Sequence, residues 1–79
     1  MTTSPKAQLV ATIRAFESIR QIKMNFDLVV SSRTRYMRAL EDAKSLTSDP
    51  EALELLDSAL SDVTSPETIR FALLASERI

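Results

Sequence analysis

The residue types that most often carry enzyme chemistry near neutral pH are missing from this sequence of 79 residues: it holds no histidine and no cysteine. General-base work by an imidazole and nucleophilic attack by a thiolate have no group to use. A typical zinc site has no ligands either. Serine–lysine and carboxylate chemistry remain. Glu41 and Asp42 are adjacent, so on a helix their side chains point in different directions. Glu54 and Asp57 share a helix face at i,i+3, but no further ligand type accompanies them, and they read as a solvated face. The expectation is a non-catalytic protein without cofactor, metal or small-molecule substrate.

The densest cluster of recognition-type residues is Arg33-Thr34-Arg35-Tyr36-Met37-Arg38. Arginine, tyrosine and methionine are enriched where protein interfaces are fully buried. Three arginines can equally clamp phosphates, although Tyr36 is the one aromatic residue among them. The structural alternative is that Tyr36 or Met37 belongs to a core and the arginines cover the helix surface. With Phe16 and Phe26, which fall on the same helical apolar stripe, Arg33, Arg35, Tyr36, Met37 and Arg38 make up the candidate interaction residues.

The elements that would position these residues are helices. Glycine is absent and proline occurs three times. Hairpin turns of the primed types and phosphate-cradling loops favour glycine, so β-hairpins, a P-loop and a dinucleotide fold are disfavoured together. The prolines recur in similar settings: Ser4-Pro5-Lys6, Asp49-Pro50-Glu51 and Ser65-Pro66-Glu67. Proline suits the first helical position, the preceding Ser4, Asp49 or Ser65 can cap it, and Glu51 and Glu67 lie where the helix dipole favours negative charge. Ser48 with Glu51, and Thr64 with Glu67, offer capping boxes in a neighbouring register.

Apolar residues recur at spacings of three and four from Leu9 through Ile13, Phe16, Ile19, Ile22 and Phe26 to Leu40 and Ala43. This predicts an all-α fold in a single domain, 1–79, with helices over about 5–46, 50–63 and 66–79. The weak point of the first helix is Val29-Val30-Ser31-Ser32, where β-branched residues and backbone-competing serines meet. A kink is expected there, or two helices with Ser31 or Ser32 as a new N-cap. A continuous first helix would be roughly 60 Å long against roughly 20 Å for each of the others. Part of its apolar stripe would then need another chain, which points to a homodimer. A break near Ser31 would give a compact four-helix bundle and weaken that argument.

Charge divides along the chain. Residues 1–44 carry eight basic against four acidic side chains, +4, and residues 45–79 carry two against seven, −5. The halves can pack on each other with complementary fields, or the basic half can address an acidic partner. The start of the chain leads into a charged amphipathic stretch and not a signal-peptide core. No apolar run approaches a membrane span, so the expected setting is the cytoplasm.

Two local resemblances accompany this reading. Ala59 to Arg70, with Ser65-Pro66-Glu67-Thr68 followed by Ile69 and Arg70, resembles the turn and recognition helix of helix-turn-helix proteins. It implies a DNA-binding regulator using a degenerate motif at about 52–79. The usual turn glycine is missing, and the segment lies in the acidic half. Asp49 to Asp62 resembles the turn and second-helix start of type III secretion needle and rod subunits, which implies a filament subunit. The leading expectation is a helical protein–protein interaction module, a homodimer that binds and modulates a larger protein. Adaptors, chaperone-like subunits and virus-encoded inhibitors belong to this class. Its partners are itself, another protein or both, with nucleic acid as the alternative and no membrane.

Overall fold

The computed structural model describes residues 4–21 and 26–79, apart from the side chains of 26–28. These residues form four α-helices: α1 (Pro5–Gln21), α2 (Phe26–Ala43), α3 (Pro50–Ser61) and α4 (Glu67–Glu77). A single 3₁₀ turn, Lys44–Leu46, follows α2. No strand occurs among the described residues.

The proline settings start helices as their chemistry dictates. Ser4 Oγ accepts the Ala7 N–H at 3.1 Å, and Pro5 takes the first helical position of α1. Asp49, in an extended conformation, accepts the Glu51 N–H at 3.2 Å and places Pro50 at the start of α3. The last helix begins at Glu67, one residue later than the sequence predicts. Its entry is tight: the Thr68 N–H reaches the Ser65 carbonyl at 3.2 Å, a 3₁₀-type bond, while Ser65 Oγ accepts from the Glu67 N–H.

A continuous helix over 5–46 is not formed. Phe16 and Tyr36 stack with ring centroids 4.3 Å apart, whereas twenty residues of unbroken helix would separate them by roughly 30 Å. α1 and α2 are therefore separate helices packed side by side, and residues 22–25 between them lie outside those described. The predicted weak point at 29–32 is helical throughout, with Val29, Val30 and Ser32 half-buried within α2. β-Branched residues and serines disfavour a helix by only tenths of a kcal/mol each. Packing of a whole helical face outweighs that.

The hairpins α1–α2 and α3–α4 stack as two layers. The Cα extents are 36 × 32 × 15 Å. The smallest of them is the thickness of two helix layers, with axes about 8–10 Å apart and Cα cylinders about 2.3 Å in radius. Between the layers lie Leu9, Ile13 and Phe16 of α1, Tyr36, Leu40 and Ala43 of α2, Leu56 and Ala59 of α3, and Ile69, Ala72 and Ala75 of α4. Alanines make up much of what the second hairpin contributes, so its helices can approach closely. The apolar stripe that a long first helix would have left uncovered is folded onto the protein's own second hairpin. No helix among the described residues is long and apolar enough to cross a membrane.

Candidate interaction surfaces

The predicted interaction residues separate into two groups. Phe16 and Tyr36 are 2 % and 0 % exposed and stack on one another inside the core. Met37 is 39 % exposed, Arg35 and Arg38 are exposed, and Arg33 is half-buried. The side chain of Phe26 lies outside the described residues. The geometry follows from helical spacing: Tyr36, Leu40 and Ala43 turn the inner face of α2 to the core, which leaves Met37, Arg38 and Arg35 on its other sides.

Tyr36 anchors a buried polar network that joins three helices. Its hydroxyl lies 2.8 Å from Thr68 Oγ1 and 3.0 Å from the Thr68 carbonyl of α4. Thr68 Oγ1 in turn donates to the Ala59 carbonyl of α3 at 2.7 Å. Since the Thr68 proton is committed to Ala59, Tyr36 is the donor and Thr68 the acceptor between them. No buried side-chain nitrogen or oxygen among the described residues lacks a partner. Burial raises the Tyr36 phenol pKa above its ordinary value, and the Thr68 hydrogen bond and the Arg20 charge offset part of that rise.

Arg20, at the end of α1, is the second fastening between the layers. Its guanidinium donates to the carbonyls of Ser65 at 3.0 Å and Thr64 at 3.1 Å, in the α3–α4 turn. It also sits 5.9 Å from the centroid of the Phe16 ring, within cation–π range. Sequence reading did not single out Arg20, and it named Thr68 only within the helix-turn-helix resemblance. Thr68 had a signal, since it stands four residues before Ala72 on the inward stripe of α4. Arg20 had none, because its partners are main-chain carbonyls more than forty residues away.

The charge asymmetry is used sparingly inside the molecule. Lys44 is the one basic residue of the first half that pairs with a carboxylate of the second among the described residues, reaching Asp57 on α3. That contact, with Glu41 beside it, raises the Lys44 pKa. Arg14 pairs with Glu17 and Arg70 with Glu67 within their own helices, and Arg78 bridges Asp49 and Glu51. Among the described residues, no carboxylate pairs with Arg33, Arg35 or Arg38.

Two shallow grooves run along the outer seams. One, of about 450 Å³, lies between α1 and α2 and is lined by Ala11, Ala15, Ile19, Ser31, Ser32 and Arg35, among others. The other, of about 390 Å³, lies between α3 and α4, where Leu55 and Phe71 form an apolar floor beside Ser58, Glu51 and Glu54. Glu54 and Asp57, one turn apart on α3, gather no third metal-ligating group, and no such cluster occurs among the described residues.

The helix-turn-helix segment places five residues, Asp62–Pro66, between α3 and α4. The exposed side of α4 mixes Glu67 and Glu77 with Arg70 and Arg78. Both arginines are in ion pairs with carboxylates. The class that fold and surfaces define is a small two-layer helical protein with outer faces of contrasting charge. Comparison with protein-family models, curated proteins and solved structures finds no match.

Proposed function

We propose that this chain is a non-catalytic helical interaction module of the cytoplasm that associates with itself and binds a larger protein, modulating it as an adaptor, chaperone-like subunit or virus-encoded inhibitor does. The observation that carries this reading is the outer surface of α2. Met37 stands exposed there with Arg33 one turn before it and Arg38 next to it, Arg35 lies on the flank toward α1, and none of these arginines meets a carboxylate among the described residues. Unpaired arginine next to exposed methionine is the composition of an interface centre. Folding of α2 onto α1 removes the uncovered 60 Å stripe as a reason for self-association, which now rests on surface charge. The favoured partner surface is acidic with an apolar centre, complementary to Arg33, Met37 and Arg38.

The test is affinity purification of the tagged chain from the cells that make it, alongside an Arg35→Glu/Arg38→Glu variant. The expected result is a stoichiometric protein partner retained by the parent chain and lost with the variant. Capture that is identical with both chains would overturn the assignment to α2.

A further inference from the structure

One surface on each hairpin carries features that match the other. On the α3–α4 face, the groove floored by Leu55 and Phe71 is rimmed by Glu51 and Glu54, and Leu74, 41 % exposed, stands one helical turn beyond Phe71. Glu51 shares its charge with Arg78, while Glu54 forms no ion pair among the described residues. On α2, Met37 is 39 % exposed, with Arg33 one turn before it, Arg38 next to it on the outer side and Arg35 on the flank toward α1. One surface is an apolar protrusion flanked by positive charge. The other is an apolar recess rimmed by negative charge. Around them the fields of the two halves, +4 and −5, have the same opposed signs.

We propose that the occupant of the α3–α4 groove is a second copy of this chain, which seats the Met37 ridge of its α2 between Leu55, Phe71 and Leu74. This rests on the interaction-module reading and specifies its self-associating part. A two-fold dimer through either face alone would set like against like: groove on groove opposes Glu54 to its own copy, and ridge on ridge opposes the arginines. The complementary contact sets the ridge of one copy in the groove of the other. A two-fold pair that exchanges both contacts, a closed ring and an open chain each satisfy it.

The experiment is a concentration series by sedimentation equilibrium at about 20 mM and about 0.5 M salt, conditions that take the Debye length from roughly 20 Å to roughly 4 Å. At low salt the average mass is expected to rise above that of one copy with concentration, and at high salt association is expected to weaken about tenfold or more. Arg35→Glu/Arg38→Glu and Glu51→Lys/Glu54→Lys alter only exposed positions. Each variant alone is expected to be monomeric where the parent chain associates. Mixed, they are expected to bind one another in equal proportion, because the first keeps the acidic groove and the second keeps the basic ridge. A parent chain that is monomeric at low salt up to about 1 mM, or variants that ignore each other when mixed, would each overturn the proposal. The Glu51→Lys/Glu54→Lys variant separates this outcome from failure of the broader reading. It loses self-association yet still captures a larger partner through α2.

Discussion

The two hairpins reach the same architecture by different means. The α3–α4 hairpin is specified locally: Asp49 and Pro50 start one helix, Ser65 and Pro66 lead into the next, and alanines at the contact let the pair close. The α1–α2 hairpin carries such a signal only at Ser4 and Pro5. Its two helices are matched by the Phe16–Tyr36 stack and fastened to the other layer by Arg20 and by Tyr36. Local chemistry thus fixes one half of the molecule, and contacts distant in sequence fix the other. The second half is the template against which the first is held.

Substitutions can break this contrast, and the largest effect is expected at Phe16. Phe16→Ala removes the stack and a buried ring, a loss of about 3–5 kcal/mol, enough to unfold much of a domain this small. Urea unfolding followed by circular dichroism measures it, and a change under 1 kcal/mol, roughly, would show that the stack does not hold α1. Thr68→Val comes next. It strips the Tyr36 hydroxyl of its closest acceptor and leaves the Ala59 carbonyl without the Thr68 donor, for about 1–3 kcal/mol. A double-mutant cycle with Tyr36→Phe is expected to show strong coupling, and additive effects would separate the two residues.

Alkaline titration probes the same joint. The folded state holds the Tyr36 phenol above its unfolded pKa, so it keeps its proton in a window where the unfolded chain has lost it. That stabilisation is complete below the ordinary phenol value and is lost as pH rises through the folded one. Lys44, also raised, loses its pairing to Asp57 over a high-pH window with the same sign. Stability is therefore expected to fall above about pH 10, and less steeply in Tyr36→Phe, which retains only the lysine contribution. Equal slopes in both proteins would remove Tyr36 from the account.

Two smaller changes sharpen the contrast. Asp49→Ala removes the cap of α3 and is expected to lower stability by about 1 kcal/mol, since Arg78 keeps Glu51 and its exposed pair with Asp49 adds little. Ser31→Ala is the smallest test and turns on sign. Ser31 is exposed in the interior of α2, so alanine is expected to stabilise by up to about 0.5 kcal/mol. Were Ser31 the N-cap of a separate helix, the same change would destabilise by about 1 kcal/mol.

The sequence was most legible where a residue's chemistry is local. The Ser-Pro and Asp-Pro settings lie at the starts of α1 and α3, and α4 begins just after Pro66. The spacing of Leu9, Ile13, Phe16, Leu40, Leu56 and Ala72 marked inward faces that the core bears out. The separation of α1 from α2 was not read, because neither glycine nor proline stands between them. The weak helix propensity at Val29–Ser32 drew attention to the wrong turn of the same helix. Of the candidate site, the exposed arginines and Met37 were legible from spacing and composition. The inward turn of Tyr36 was not, since a phenol serves equally as interface anchor and as buried donor until its acceptor is known.

The chain contains one tyrosine and no tryptophan. Its sole strong near-ultraviolet chromophore is thus the residue that stacks on α1 and donates to α4. Tyrosine emission and near-ultraviolet dichroism of this protein report a single site, without label or engineered probe, and that site is the joint between the layers. Reagents that iodinate or nitrate phenols will modify the open form only, so the rate at which they act reads out how often the two hairpins part.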